Sequence, residues 1–258
     1  MLTPNPTPRL ARMKLLSLAL SALVLLIGIG GAIYVFNQID RVGRAHILDR
    51  VATIAVAVPE EDLRELAGGE EDLGTPEYES LKLFLEQMRS VNGDARFLYL
   101  IGRNEAGELF FFADSESAES PDYSPPGQVY YEATPAMRAL FMDGARRTEG
   151  PDRDRWGLWI SGYAPVVNEA GTVIAMLGMD LPATDFLSNA IAYALLPVFL
   201  SLLLIVFILA TERVRRQEVA YLEQKAEFLS IASHEIRTPL TGIRWAIEGL
   251  LKRENPPL

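Results

Sequence analysis

The sequence predicts a membrane protein in which two transmembrane helices flank an α+β domain and a coiled-coil helix follows the second span. Three observations carry this. Residues 15–36 and 190–210 are uncharged apolar runs, each matching the roughly 20 residues that a bilayer core requires. The stretch between them alternates helical and strand patterns around turn residues. Beyond residue 211, apolar side chains recur at alternating steps of three and four, the spacing of a helix that pairs with partner helices.

Charge placement orients the spans. Arg9, Arg12 and Lys14 precede the first, and Arg213, Arg215 and Arg216 follow the second. The positive-inside rule then puts both termini in the cytoplasm and the middle domain outside. Residues 1–14, with Pro4, Pro6 and Pro8, read as a cytoplasmic leader. A cleaved signal peptide is the rival reading, with an apolar region of about 7–15 residues before a small-x-small site. This run is longer and holds Gly28, Gly30 and Gly31 inside it, so a retained span is expected. Pro197 is tolerated within a membrane helix.

The 258-residue chain carries a net charge of −10, which argues against nonspecific nucleic-acid binding. It has no cysteine, hence no disulfide framework and no cysteine metal site. The acids of the middle come in scattered groups, Glu60-Glu61-Asp62 and Glu70-Glu71-Asp72. They lack the spacing of a calcium loop and read as a solvated face, so no metal site is expected. His46, just outside the first span, reads as an exposed histidine.

Residues 37–189 form the expected extracytoplasmic domain. A helix over residues 39–58 stops at Pro59, and residues 66–74 form an acidic, glycine-bearing loop. Thr75-Pro76-Glu77 supplies an N-cap, a proline at the first helical position and an acid in the first turn, so a helix starts there. Leu81, Phe84, Leu85 and Met88 give it one apolar face. Residues 96–103 and 108–114 read as strands around Asn104-Glu105-Ala106-Gly107. Residues 114–127 form a Ser/Pro/acid loop, and Thr134-Pro135 opens a short helix closed near Gly144. A second hairpin, residues 157–167 and 172–181, turns at Asn168-Glu169-Ala170-Gly171. Asparagine and glycine suit such turns, and the order fits one antiparallel sheet with helices.

Strand parity nominates a pocket. Pairing Asn168 with Gly171 sets Trp159 opposite Asp180 and Tyr163 opposite Met176. Trp159, Ser161, Tyr163 and Asp180 then share a face. The same logic groups Phe97, Tyr99, Phe112 and Asp114. Because a buried carboxylate must be paired, Asp180 among aromatics suits an amine or a cation. The competing reading makes Trp159 and Tyr163 core aromatics and lets Asp180 cap the strand end. Both stay open on sequence alone.

The heptad seam runs through Val219, Leu222, Ala226, Leu229, Ser233, Ile236, Leu240, Ile243, Ile247 and Leu250. His234 falls beside it on the solvent side, with Thr238 one turn on. Pro239 lacks an N–H and crowds the carbonyl of Glu235, so the distortion falls on the turn that carries His234. A zinc site of the H-E-x-x-H type would need histidine at 238, and threonine stands there. A Ser233–His234 nucleophile pair fails because adjacent helical side chains diverge.

The residues SHEIRTPLTGI resemble the H-box of bacterial sensor histidine kinases, a resemblance over roughly residues 225–253 within an expected, incomplete phosphoacceptor domain at 225–258. That resemblance implies a membrane-bound protein histidine kinase that signals in a two-component system from the bacterial inner membrane. His234 would be the phosphoacceptor, Glu235 its acid/base partner, and Thr238 the residue that positions water for phosphatase action. It further implies ATP and Mg²⁺ as co-reactants, a homodimer, and a response regulator that receives the phosphoryl group on an aspartate. Residues 211–224 become a linker helix, too short for a HAMP module. His234 would then lie on the order of 35 Å beyond the span at 1.5 Å per residue.

The segments FLYLIGRNEAGELFFFAD and WGLWISGYAPVVNEAGTVIAMLGMDLPATDF resemble single Cache (PAS-like) sensor domains. This second resemblance implies a small-molecule or ion ligand, for which Trp159, Tyr163, Asp180, Tyr99 and Asp114 are the candidates. Only Gly242 and Gly249 follow Pro239, without a glycine-rich nucleotide lid, so the chain is expected to be the front part of a kinase. The alternative is a non-catalytic membrane receptor that dimerises with other kinases and modulates them. Chemoreceptors and cyclic-nucleotide synthases could share the first 210 residues, but the H-box argues against both.

Overall fold

A computed structural model describes residues 8–254, with the side chains of residues 8–11, His234, Thr238 and residues 245–254 outside the description. The chain divides into two units, Gly31–Leu196 and the remainder. Helices α1 (Pro8–Ala57) and α5 (Ala183–Glu254) contribute to both.

In the larger unit, Pro59 ends α1, and α2 (Glu60–Glu65) follows with three acids in its first turn. Such acids suit a helix N-terminus. The loop beyond it is pinned by Asp72. The Asp72 carboxylate accepts the N–H groups of Ala67 (2.9 Å), Gly68 (2.7 Å) and Gly69 (3.3 Å) and is buried. The expectation of a uniformly solvated acidic face is corrected here, because this acid is spent on loop donors that would otherwise be orphaned. Helix α3 (Pro76–Val91) starts as its cap dictates, with Thr75 Oγ1 accepting the Tyr78 N–H. Helix α4 (Pro135–Asp143) repeats the device with Thr134 and Met137, and ends on Gly144 at φ 65°.

Five strands form one antiparallel sheet: β1 (Phe97–Arg103), β2 (Leu109–Asp114), β3 (Arg147–Arg153), β4 (Leu158–Val167) and β5 (Val173–Pro182), in the order β2-β1-β5-β4-β3. Strand β1 is buried on both faces, which is why FLYLIGR reads as a continuous apolar run rather than an alternation. Leu98, Leu100, Leu177 and Met179 face Ile47, Val51 and Ile54 of α1 and Leu81 and Leu85 of α3. The alternate residues Phe97, Tyr99 and Ile101 face Met137 and Leu140 of α4.

Strand β3 had no sequence signal. RTEGPDR is charged and poor in β-formers, and it becomes a strand because it lies along β4 at the sheet edge, where charge and proline are the normal protection against further pairing. Arg44 of α1 donates to the carbonyls of Glu149 (3.3 Å) and Gly150 (2.9 Å) on this strand. At the opposite edge, residues 127–130 fold back along β2, through Phe111 N–H to Gln128 O (3.0 Å) and Tyr130 N–H to Leu109 O (2.8 Å).

Both Asn-Glu-Ala-Gly turns form where expected, but each register differs from the sequence reading. Asn104 N–H bonds Glu108 O and Asn168 N–H bonds Thr172 O, both at 3.0 Å, so each loop is one residue longer than supposed. A bulge then adds another residue to each ladder. Trp159 pairs with Pro182 rather than Asp180, and Tyr163 with Gly178 rather than Met176. Asp180 pairs with Ser161. Two added residues restore parity, so Trp159, Ser161, Tyr163 and Asp180 still share a face. In the first hairpin the bulge falls at Phe112, whose ring packs with the α1–α3 side. Phe111 stands where Phe112 was expected, beside Tyr99 and Phe97.

Helices α1 and α5 are each long and apolar enough to cross a membrane, over Arg12–Ala57 and Ala183–Arg244. Their apolar side chains, such as Leu26, Ile27, Phe199 and Val206, are exposed. Ser17 Oγ donates to Glu212 Oε2 at 2.8 Å. At Gly28 a Cβ would fall 1.9 Å from Ser201 Oγ, so this glycine lets the two helices approach closely, as small residues do in membrane helix pairs.

Candidate functional site

A cavity opens on the α4 side of the sheet, in the larger unit. Its floor is β1, β2 and β5, through Phe97, Tyr99, Phe111, Asp114 and Asp180. The remaining wall comes from two loops, Asp122, Ser124 and Tyr130 on one and Asp154 and Trp156 on the other. The rings form a continuous lining: Phe111 lies 5.3 Å from Tyr130 and 6.2 Å from Trp156, and Tyr130 lies 6.0 Å from Trp156.

Four carboxylates reach this wall, in different states. Asp114 holds its own loop, with Oδ1 accepting Glu116 N–H (3.1 Å) and Oδ2 accepting Ser124 N–H (2.6 Å). Lys82 of α3 lies 3.6 Å away. Burial outweighs these partners and pushes its pKa up to about 6. Asp154 organises the second loop, where Oδ1 accepts the N–H groups of Trp156 (2.8 Å) and Gly157 (2.9 Å) and Trp159 Nε1–H (2.9 Å). Asp122 pairs with Arg96 at 2.6 Å.

Asp180 differs. Its partners are hydroxyls: Tyr99 Oη donates at 3.2 Å, and Ser161 pairs with it across the strands, its hydroxyl lowering the pKa of the carboxyl. Among the described residues no cation pairs with it. The side chain is 5% exposed, and burial pushes its pKa up to about 7, reinforced by the Asp154 charge and opposed by the two hydroxyls. The same burial raises the phenols of Tyr99, Tyr130 and Tyr163.

Of the residues nominated from sequence, Tyr99, Asp114 and Asp180 line the cavity. Trp159 and Tyr163 do not. They are buried in the same aromatic cluster, Trp159 edge-on to Phe97 at 5.2 Å, and they support the wall from behind. Sequence reasoning missed Phe111, Tyr130 and Trp156. The last two lie on irregular segments with no periodicity to place them.

Gly178 fixes the geometry at Asp180. It pairs with Tyr99, whose ring lies across it, and a Cβ there would fall 2.2 Å from Tyr99 Cε2. Gly178→Ala should therefore expel the ring, break the Tyr99–Asp180 hydrogen bond and destabilise the domain by about 1–3 kcal/mol. Thermal unfolding checks this; an unchanged midpoint would mean the ring does not rest there.

The second candidate site lies on α5. Ser233, Glu235, Ile236, Arg237, Pro239 and Leu240 are exposed on a helix that continues through Pro239. The seam residues Leu222, Leu229, Ile236, Leu240 and Ile243 are 55–58% exposed in the single chain. The side chains of His234 and Thr238, and the seam positions Ile247 and Leu250, lie outside the described set. Thr241 Oγ1 donates to Arg237 O at 2.8 Å.

The family model for the His Kinase A (phospho-acceptor) domain matches residues 224–258. No curated protein matches the chain. Among solved structures, the chain is similar to the ligand-binding domain of the Campylobacter jejuni chemoreceptor Tlp3 in complex with L-valine (15% identity, TM-score 0.40, 68% of this chain and 66% of that one). It is also similar to the sensor domain of the V. cholerae histidine kinase DctB (14%, TM-score 0.43, 63% and 58%). A third is an extracellular ligand binding receptor from Desulfohalobium retbaense (13%, TM-score 0.44, 62% and 26%). The chain thus spans 66% or less of each of these three solved chains.

Proposed function

We propose that this chain, which carries a His Kinase A (phospho-acceptor) domain at residues 224–258, is a transmembrane sensor histidine kinase of two-component signalling in a bacterial inner membrane. The observation that carries the reading is the coincidence of that domain with SHEIRTPL on a helix where the described side chains of the stretch, Ser233, Glu235, Ile236, Arg237, Pro239 and Leu240, are exposed. A ring nitrogen of His234 attacks the γ-phosphorus of ATP. A P–N bond forms as the bond to the β-phosphate oxygen breaks, ADP leaves, and the other ring N–H is held by Glu235. Transfer to a response regulator aspartate follows, and Thr238 positions water to hydrolyse that aspartyl phosphate, releasing inorganic phosphate.

ATP and Mg²⁺ are the co-reactants, brought to His234 by a nucleotide-binding domain. The exposed seam is the surface assigned to a second copy of the chain, since apolar a and d positions favour burial against a partner helix. The sheet domain is the Cache-like sensor outside the membrane, and its cavity takes a small ligand. Ligand binding changes the phosphorylation of His234 only insofar as it binds two conformations with different affinity.

The reading requires residues 120 and 220 to lie on opposite sides of the membrane. A phosphatase reporter fused at 120 should be active in the periplasm, and a cytoplasmic reporter should be active at 220. A cytoplasmic signal at 120 ends this topology and the sensor role with it.

A further inference from the structure

We infer, resting on the transmembrane sensor reading above, that α1 and α5 of one chain are locked in a single axial register across the membrane. A signal then moves the two helices as one body, and α5 does not slide along α1. Three contacts between the helices agree on that register.

The first lies at the cytoplasmic end, in the smaller unit. Ser17 Oγ donates to Glu212 Oε2 at 2.8 Å, and Arg216 pairs with the same carboxylate. The Glu212 side chain is 13% exposed, and a carboxylate at a membrane boundary is costly without such partners. The second contact lies deeper in the same unit. A Cβ at Gly28 would fall 1.9 Å from Ser201 Oγ and 3.2 Å from Pro197 O, so the helices meet there through backbone.

In the larger unit the two helices meet again. A Cβ at Gly43 would fall 2.7 Å from Phe186 Cε2. Arg44 holds this end, with its guanidinium 5.9 Å from the centre of the Phe186 ring and its N–H groups on Glu149 O and Gly150 O of β3. The spacings coincide on both helices. Ser17 to Gly28 is 11 residues, as is Ser201 to Glu212, and Gly28 to Gly43 is 15, as is Phe186 to Ser201. Antiparallel helices of equal rise satisfy all three contacts at once.

Sliding by one turn, about 5.4 Å, is opposed in both directions. Moved outward, Glu212 would come opposite Ser21, whose buried hydroxyl has no partner among the described residues. Ile205 would then come opposite Gly28, where the gap holds a serine side chain, and the carboxylate would sit a turn deeper in hydrocarbon. Moved inward, Glu212 would come opposite Met13, which offers no side-chain donor, and Pro197 opposite Gly28. Of the three registers, the observed one alone satisfies the carboxylate and the close contact together. A signal from the sheet domain therefore reaches the His234 stretch as rotation or tilt of the helix pair against a second copy.

The chain has no cysteine, so introduced pairs report without background. Leu20 and Ile208 line one groove between the helices. In nanodiscs under mild oxidant, Leu20→Cys with Ile208→Cys should form a disulfide in a species of monomer mass, identified by mass spectrometry of the linked peptides. Leu16→Cys or Val24→Cys, each one turn away, should link to Ile208→Cys at least about tenfold more slowly, because Cα atoms beyond about 7 Å need backbone movement. Glu212→Ala removes the nearest fixed point and should narrow that gap, whereas Glu212→Gln keeps an acceptor for Ser17 and should restore it. With the chain fused before the second helix and ATP-binding domain of a related kinase, the disulfide between residues 20 and 208 should leave His234 labelling within about twofold of the reduced sample, since the register is unchanged.

Equal linking at 16, 20 and 24, or preferential linking at 16 or 24, would overturn the lock. Labelling lost on oxidation and recovered with reductant would show that α5 must slide, and would overturn it too. A gap unchanged in Glu212→Ala would overturn the part given to Glu212. If the reduced fusion takes no label, the kinase reading fails, and the linking rates still decide the register. Should Glu212→Ala not insert, the three pairs in the otherwise unaltered chain decide alone.

Discussion

With the chain fused in frame before the second helix and ATP-binding domain of a related kinase, His234→Gln should abolish labelling by γ-phosphate-labelled ATP. Glutamine keeps an N–H donor and much of the length of the side chain but has no basic ring nitrogen, so the P–N bond cannot form. The effect is total because phosphoryl transfer depends on positioning and charge stabilisation around one nucleophile. Glu235→Gln removes the carboxylate that holds the ring proton and should slow labelling by about 10²-fold, the low end for general acid–base groups. Thr238→Ala should leave labelling intact and slow loss of phosphate from the regulator. The label on the wild-type fusion should be acid-labile and base-stable. Label surviving His234→Gln at the wild-type rate would place the acceptor elsewhere and remove the kinase reading from this stretch.

How much of this was legible without coordinates depended on whether a signal was local. The caps at Thr75 and Thr134 were, because a hydroxyl before a proline-led helix serves the first free N–H groups whatever lies around it. The paired turns were legible for the same reason, since asparagine side chains and glycine at positive φ define them within five residues. Registers were not. A bulge at Phe112 records how β2 meets β1 and a returning loop, and no feature of LFFFAD announces it. The consequence was specific: Phe111 rather than Phe112 faces the cavity.

Strand β3 was invisible because its pairing comes from β4 and not from RTEGPDR itself. The site followed the same division. Asp180, Tyr99 and Asp114 sit on strands whose parity could be counted, whereas Tyr130 and Trp156 are delivered by loops. Those loops are fixed by Asp114 and Asp154 binding backbone N–H groups. The contrast among the four acids, which decides what the cavity can hold, is a matter of partners and could not be read from composition. On α5 the heptad and the H-box were both plain in sequence, because they are helix-period patterns that need no tertiary context.

Asp180→Asn should stabilise the ligand-free protein at alkaline pH and do little at acid pH. The sign follows from linkage. Burial raises the folded-state pKa of Asp180 from 3.8 to about 7, so between those values the folded chain holds a proton that the unfolded chain has released. Stability then falls as pH rises through that window. Below about pH 4 both states are protonated and the group costs nothing; above about pH 7 both are ionised and the folded state carries the full penalty of a buried anion. That penalty is on the order of 4 kcal/mol at most, at 1.36 kcal/mol per pKa unit.

Asparagine cannot ionise and should escape the penalty, so its midpoint should exceed that of wild type by roughly 2–4 °C per kcal/mol at pH 8 and converge with it near pH 4. Asp114, raised to about 6, Asp154, and the phenols of Tyr99, Tyr130 and Tyr163 face the same region. They are present in both proteins and largely cancel in the difference. Thermal unfolding of the full chain in nanodiscs across pH 4–8 makes the measurement. A gap that is flat, or that narrows as pH rises, would show that Asp180 is already neutralised in the folded protein by a partner, and would leave the cavity without its vacant anion.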